Sequence, residues 1–231
     1  MSRCAMTKNT RRTQRGETAL TRERIIDAAI VLLDASGEGG LTFRALADAL
    51  ATGAGAIYFH IADKGDLQNA ACDSVVARAI AASADGATPQ DSLRAIGLGL
   101  FDALDAHPWV GAELARAPGT MPTVRILEGI GRQVQALAVP DALLWRATSS
   151  LFSYIVGVAG QNAANARIGQ ARGVERADFL GGLATAWMAL DATAYPFLRS
   201  VAGQFSAHDD RADFLAGIDL ILDGIAAQRM R

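Results

Sequence analysis

The feature that most constrains the fold is a pair of short helical patterns that meet at a glycine, within residues 41 to 67. Thr42 is a good N-cap for the first pattern. That pattern places three apolar residues on one face, namely Leu46, Ala49 and Leu50. Gly53 supplies the permissive backbone that a tight turn between helices requires. The second pattern, residues 54 to 60, is too short to be stable alone, so packing of Ile57 must hold it. The spacing predicts a helix-turn-helix, whose second helix fits the major groove of DNA.

The composition favours an all-α protein without a membrane span. Of the 231 residues, 51% are hydrophobic and only six are proline. The longest apolar run, residues 151 to 159, falls short of the roughly 20 residues that a membrane helix needs. The first residues contain no apolar stretch typical of a secretory signal, and two lone cysteines, Cys4 and Cys72, do not make a disulfide framework. We therefore expect a cytoplasmic protein with no membrane partner.

The charge is unevenly distributed along the chain. The formal net charge is -2, yet the first 25 residues carry seven basic side chains and two acidic ones. A flexible basic N-terminal arm over residues 1–16 would suit contact with DNA phosphates or the minor groove. The alternative is a solvated, disordered N-terminus without a partner.

Helix start and stop signals divide the rest of the chain. A first helix is expected from residue 21 to residue 36, where glycines end it. Asp63 and Asp66 resemble a capping box at the start of a fourth helix that continues to residue 82. Further helical patterns cover residues 91–105, 108–116, 121–138, 141–166, 174–191, 195–205 and 211–228. The break at residues 83–89 predicts a boundary between a DNA-binding domain, 17–82, and a helical effector-binding and dimerisation domain, 83–231.

The residues of the first domain carry a resemblance. T-R-E-R-I-I-D-A-A from Thr21, then G-L-T-F-R-A-L-A-D-A-L, the helix ending I-Y-F-H and D-K-G-D-L resemble the N-terminal DNA-binding domain of the tetracycline-repressor (TetR) family. The run FLAGIDLILDGI, Phe214 to Ile225, resembles the last helix of close relatives of the tetracycline repressor. This resemblance implies a homodimeric transcriptional regulator, more often a repressor, that releases a double-stranded DNA operator when it binds a small molecule.

The resemblance also implies roles for individual residues. Arg44 matches a position that reaches a base edge or phosphate. The aromatic and histidine ending of the short helix matches side chains that grip the DNA backbone, and Lys64 offers a charge to phosphate. The predicted DNA-binding residues are Thr42, Arg44, Thr52, Ala54, Ala56, Tyr58, Phe59, His60 and Lys64. The alternatives are a surface arginine and simple core packing of the aromatic residues.

The second helix of the motif departs from the family pattern. Family recognition helices start with polar side chains, whereas residues 52 to 56 offer a single hydroxyl, that of Thr52. We therefore expect sequence choice to depend on Arg44, Thr52 and DNA shape. A drifted helix that binds DNA poorly is the alternative.

Two helices of the second domain are candidates for a dimer interface. The helix from residue 141 to residue 166 is apolar almost all round, and the last helix has a wide apolar stripe. Two such helices from each subunit would form a four-helix interface. The predicted interface residues are Leu151, Ile155, Val158, Phe214, Ile218, Ile221, Leu222 and Ile225.

Aromatic and sulfur-containing side chains are concentrated in this second domain, as an apolar effector pocket would require. The candidate ligand-binding residues are Phe101, His107, Trp109, Met121, Trp145, Phe152, Gln161 and Trp187. Core packing explains most of them equally well. No metal-tetracycline ligand set is recognisable, and we expect neither a metal nor a cofactor.

Two other functional classes are less consistent with the sequence. An all-α enzyme would need a catalytic constellation, but the chain has three histidines, no Glu-x-x-His pair and no nucleotide-binding loop. A constitutive DNA-binding dimer without a small-molecule effector is the second alternative. We expect a ligand-responsive regulator released from a palindromic operator by a small apolar or amphipathic molecule.

Overall fold

A computed structural model of the protein describes residues 20–83, 86–116 and 119–229. Over these residues the regular elements are helices, which confirms the expected all-α class. The predicted basic arm, residues 1–16, and Cys4 lie outside the described residues.

The helices are numbered here in chain order. They are α1 Arg22–Gly40, α2 Phe43–Ala49, α3 Ala54–Tyr58, α4 Lys64–Ala82, α5 Pro89–Ala106, α6 Trp109–Arg116, α7 Met121–Ala136, α8 Asp141–Arg172, α9 Arg176–Met188, α10 Pro196–Val201, the 3-10 segment Ala202–Ala207 and α11 Asp210–Arg229.

The chain forms two compact units, Met1–Ala71 and Cys72–Arg231. Their boundary falls inside α4, so this helix contributes its first residues to the N-terminal unit and its last residues to the C-terminal unit.

In the N-terminal unit, threonine hydroxyls cap two helix starts, of which the cap at Thr42 was predicted. The Thr21 hydroxyl accepts a hydrogen bond from the Arg24 amide, and the Thr42 hydroxyl accepts one from the Ala45 amide. Regular helix geometry in α1 is interrupted at Gly37, whose φ of 62° favours glycine. The core of this unit consists of Ile25, Ala29, Ile30, Leu33, Leu41, Leu46, Ala47, Ile57, Ile61, Leu67 and Ala71.

The turn between α2 and α3 corrects two details of the sequence prediction. Gly53 has an ordinary extended φ of -85°, and the left-handed residue is Ala51, with φ of 50°. The Thr52 amide donates to the Ala47 carbonyl, and the Ala51 amide donates to the Asp48 carbonyl, which together form a Schellman motif. Ala49, predicted to face the core, is exposed, and Ala47 is buried instead.

In the C-terminal unit, α8 packs against α5, α6, α7 and α11. Its buried face repeats every four residues, with Ala147, Leu151, Ile155, Ala159 and Ala163. Two ion pairs join α5 to α11: Arg94 to Asp219 at 2.7 Å, and Arg211 to Asp102 at 3.1 Å. Because each helix supplies one arginine and one aspartate, the pairs fix the register between the two helices.

Some C-terminal helix limits differ from the prediction. Helix α8 continues to Arg172, beyond the predicted end at residue 166. The predicted helix 195–205 is the short α10 followed by a 3-10 segment. By length and composition alone, the Asp141–Gly169 part of α8 could span a membrane, contrary to the sequence expectation, although core helices of bundles pass the same test.

Candidate nucleic-acid interface and effector unit

Helix α3 is short and is held by one buried anchor. Ile57 has no accessible surface, and Ile61, just after the helix, is also buried. The Ile61 and His60 amides both donate to the Ile57 carbonyl, which continues the helical turn past Tyr58. The remaining face of α3, with Ala54 and Ala56, is exposed as predicted for a helix that enters a groove.

Two aromatic side chains stand at the end of α3. Tyr58 is 56% exposed and stacks on Phe43, with ring centroids 4.3 Å apart and planes 11° apart. Phe59 is 87% exposed, and its ring is nearly perpendicular to the His60 ring, with the ring centroids 5.4 Å apart. This exposure excludes core packing for Phe59 within the subunit. Both rings therefore present surface that sugar and phosphate groups could cover.

Lys64, the first residue of α4, is exposed and oriented by α1. Its ammonium donates to the Glu38 carbonyl at 2.7 Å. Glu38 follows the break at Gly37, so the interruption of α1 brings this carbonyl into reach. Since an ammonium has three N–H donors, this bond fixes the position of the charge and leaves capacity for phosphate.

The loop before α4 is fixed by an arginine of α1. Arg22 donates to the His60 carbonyl at 2.6 Å and to Asp66 at 2.9 Å. Asp66 also accepts the Ala62 amide at 3.1 Å, and its own amide donates to Asp63 at 2.8 Å. The hydrogen bond to Asp66 raises the pKa of Arg22, and the same bond lowers the pKa of Asp66.

The other predicted DNA-binding residues lie beside these groups in sequence. Arg44 is exposed in the first turn of α2, next to Phe43. Thr42 is exposed and caps α2, while Thr52 is half-buried and its amide takes part in the turn. The nine residues thus lie in α2, in α3, at the start of α4 and in the segments that adjoin these helices, and four of them carry large or charged exposed side chains.

The structure corrects most of the predicted dimer-interface residues. A side chain with almost no accessible surface cannot contribute area to a partner, so these residues belong to the core of the subunit. The buried ones are Leu151, Ile155, Phe214, Ile218, Leu222 and Ile225, whereas Val158 and Ile221 are half-buried. Large apolar side chains exposed on the same two helices are Trp145, at 67%, Ile168, at 51%, and Leu220, at 74%.

The predicted ligand-binding residues differ widely in exposure. Trp109 is buried, and its ring lies 6.3 Å from that of His107. Phe101 is half-buried, and its ring centroid lies 4.8 Å from that of the buried Phe214. Four others fall into two groups: Phe152 and Trp187 are half-buried, while Met121 and Trp145 are more than half exposed. Gln161 is also exposed.

A groove with a volume of about 290 Å³ lies between α8 and α11. It is lined by Leu143, Arg146, Ala147, Ser150, Ile221, Gly224, Ile225 and Gln228, which include none of the predicted ligand-binding residues. Deeper along the same pair of helices, the Tyr154 hydroxyl donates to the Phe214 carbonyl, and a Cβ on Gly217 would overlap that hydroxyl. Glycine at this position therefore allows close approach of the two helices.

Sequence reasoning missed the groups that orient the DNA-facing side chains. Phe43 stacks on Tyr58, the Glu38 carbonyl accepts from Lys64, and Arg22 donates to the His60 carbonyl. The sequence showed Arg22 only as one of many basic residues, and it placed Asp66 in a capping box without its contact to Arg22. Arg22 and Asp66 are 44 positions apart, so no local spacing could pair them. The stacking of Phe43 on Tyr58 likewise depends on the turn geometry.

Comparison with known proteins identifies the family. Residues 83–229 match the model of the tetracyclin repressor-like C-terminal domain. A solved TetR transcriptional regulator from Streptomyces coelicolor is 53% identical, with a TM-score of 0.83 over 91% of this chain and 100% of that one. The transcriptional repressor DrrR1 of Streptomyces coeruleorubidus is 26% identical over 93% of this chain and 81% of its own. ActR of Streptomyces coelicolor, solved with actinorhodin, shares the fold at 22% identity, with a TM-score of 0.72 over 91% and 97% of the two chains. The chain therefore belongs to the TetR family of transcriptional regulators.

Proposed function

We propose that the protein is a ligand-responsive repressor that binds a palindromic operator as a homodimer. The observation that carries the DNA-binding part is the exposed set at α3 and the start of α4. Tyr58, Phe59 and Lys64 are exposed, and they follow the small exposed residues 54 to 56 of α3. Large aromatic groups beside an oriented cation suit a sugar-phosphate backbone.

In this proposal α3 enters the major groove. Its exposed Ala54 and Ala56 allow close approach to the groove floor, and their methyl groups can contact thymine methyl groups. Arg44 can read guanine through two hydrogen bonds, while Lys64 contacts phosphate without regard to sequence. Specificity therefore rests on a few direct contacts and on DNA shape.

Footprinting on the promoter next to the gene tests the DNA-binding part. Arg44→Ala should change the relative affinities for operators with single base substitutions, and Lys64→Ala should weaken all of them alike. Arg132→Ala, which removes an exposed arginine of α7 in the C-terminal unit, is the matched control. If both variants bind every duplex as the control does, the docking arrangement is wrong.

The homodimer rests on the apolar surface that α8 and α11 leave uncovered. Trp145 and Leu220 are large, exposed and on the two helices predicted to face a partner. A two-fold dimer would place two copies of α3 about one turn of duplex, roughly 34 to 36 Å, apart on a palindrome.

The effector part is supported by two relatives. DrrR1 is named a repressor, and the fold of ActR was solved with a bound small molecule. In this chain α4 belongs to both compact units, so a ligand that favours one arrangement of the C-terminal unit could act on DNA binding through this helix. The candidate ligand-binding residues of the second domain stay predictions.

A thermal-shift screen with apolar and amphipathic molecules tests this part. A ligand of the sensor should raise the unfolding temperature and also release the operator in a binding assay. Two results would favour the constitutive DNA-binding dimer. Either the stabilising ligands leave operator affinity unchanged, or no stabilising ligand is found across a wide chemical set.

The N-terminal arm and the location belong to the same proposal. Residues 1–16 carry five basic side chains and no acidic one. Deleting them should lower the slope of log affinity against log salt, because fewer counterions are released from the DNA. The site of action is the cytoplasm, with no membrane partner.

A further inference from the structure

The backbone before α4 is tied to the first turn of α1 by charged hydrogen bonds. Arg22 reaches the His60 carbonyl on one side of the loop and the Asp66 carboxylate on the other. The second oxygen of Asp66 accepts the Ala62 amide. Three points of one short segment are thus fixed around the buried Ile61.

This network lies directly behind the groups that face DNA. The carbonyl that Arg22 holds belongs to His60, the residue after Phe59, and Asp66 lies two residues after Lys64. The Nη1 and Nη2 groups of the guanidinium donate to a carbonyl and a carboxylate of the same subunit. A phosphate would have to compete with both for them.

We propose that Arg22 and Asp66 are positioning residues, which set the loop before α4 for DNA binding without themselves neutralising phosphate. This inference rests on the proposed DNA-binding function and adds to it the groups that orient the backbone contacts. It assigns to α1 a role beyond filling the core.

The opposite charges of the two residues separate positioning from direct electrostatics. Loss of a cation weakens binding to a polyanion, whereas loss of an anion near the interface strengthens it. If the pair acts by positioning, Arg22→Ala and Asp66→Ala weaken binding in the same direction. The sign of the Asp66→Ala effect therefore decides between the two explanations.

The test measures the affinity of the full chain for one operator duplex at several salt concentrations. Each alanine variant should bind more weakly by about tenfold for each of the two sites in the dimer, as the loss of about one charge-assisted hydrogen bond per site implies, and the double variant should be no weaker than either. The slope of log affinity against log salt should stay that of the parent. Arg22→Lys should bind as poorly as Arg22→Ala, because an ammonium cannot make the paired hydrogen bonds of a guanidinium. Glu128→Ala and Arg132→Ala on α7 are charge-matched controls.

Three results would overturn the inference. The first is that Asp66→Ala binds the duplex at least as tightly as the parent. The second is that Arg22→Ala lowers the slope of log affinity against log salt by about 0.9 for each site. Restoration of the affinity by Arg22→Lys would likewise assign Arg22 to direct phosphate binding.

A second readout needs no DNA. The chain has three tyrosines, so fluorotyrosine gives three fluorine resonances, and Tyr58→Phe identifies the one on the DNA-facing surface. Both alanine variants should move that resonance and leave those of Tyr154 and Tyr195 in place. An unmoved Tyr58 resonance with a lowered unfolding temperature would assign the pair to stability alone and overturn the positioning role.

Lys64→Ala in the same assay separates the two possible failures. If the parent binds the duplex and Lys64→Ala weakens binding while Asp66→Ala does not, the positioning inference alone fails. If the parent binds no DNA, the proposed function fails, and the inference fails with it.

Discussion

Lys64→Ala should flatten the salt dependence of DNA binding. The Lys64 ammonium is exposed, and the Glu38 carbonyl holds it at 2.7 Å at the start of α4. Its charge is therefore fixed in place before DNA arrives, and less side-chain entropy is lost on contact with a phosphate. Alanine removes the charge and this orienting bond but leaves the backbone of α4 unchanged.

The size of the effect follows from counterion release. Each neutralised phosphate contributes about 0.9 to the slope of log affinity against log salt, so two copies of Lys64 in a dimer contribute about 1.8. Between about 50 and 200 mM salt, a fourfold change, the parent should lose about 12-fold more affinity than the variant.

Fluorescence anisotropy of a labelled duplex at several salt concentrations measures both slopes. Lys64→Arg should keep the slope of the parent, and Arg132→Ala on α7 should keep it as well. Lys64 is one of two lysines in the chain, the other being Lys8, so lysine methylation with and without DNA gives an independent check. Equal slopes for the parent and Lys64→Ala, with no protection of Lys64 by DNA, would refute the phosphate contact.

Three further predictions concern the turn, the ion pair and the dimer. Ala51→Gly should stabilise the protein by roughly 0.5–1 kcal/mol in urea unfolding, because glycine adopts a φ of 50° without Cβ strain; an unchanged or lower midpoint would contradict this. Hydrogen bonds lower the pKa of Asp66 in the folded protein. The parent should therefore be more stable than Asp66→Ala at pH values above the ordinary aspartate pKa of 3.8, and this difference in stability should be lost as the pH falls through the lower pKa of the folded state. Unfolding measured from about pH 2 to pH 7 checks the sign, and a difference that grows in acid would count against it. Leu220→Glu should convert a dimer to monomers in sedimentation. Val31, 65% exposed in the N-terminal unit, gives the control Val31→Glu, which should stay dimeric. A dimeric Leu220→Glu variant would exclude this face of α11 from the dimer interface.

The parts of the fold that the sequence predicted are those set by local chemistry. Thr42 was predicted as the N-cap of α2, and its hydroxyl accepts the amide of Ala45, three residues later. Ile57 was predicted as the anchor of α3 because one apolar residue stands among small ones, and it is fully buried. The glycine break of α1 was predicted close to its observed place at Gly37.

The parts of the fold that the sequence did not predict depend on contacts between residues distant in sequence, or on helices with more than one apolar face. Helices α8 and α11 are apolar on more than one face, so periodicity could not tell which face meets the subunit's own core. The structure buries Leu151 and Ile218 and exposes Trp145 and Leu220. Glycine is the residue most often found at a left-handed turn position, so Gly53 was predicted to form the turn. In the structure, backbone hydrogen bonds hold Ala51, two residues earlier, in the left-handed conformation.

The bare surface of α3 separates the stability of the helix from its sequence preference. Its first three positions, residues 54 to 56, are exposed and carry hydrogen or methyl groups, and a Cβ added at Gly53 or Gly55 meets no atom within 4 Å. Ile57 alone anchors the helix in the core, so new side chains at residues 53 to 56 would change the groove-facing surface and leave that anchor in place. Replacing Gly55 would also remove a residue that disfavours helix by about 1 kcal/mol relative to alanine. If α3 enters the major groove as we propose, operator preference can be rewritten on this short helix, by selection or by design, without rebuilding the fold beneath it.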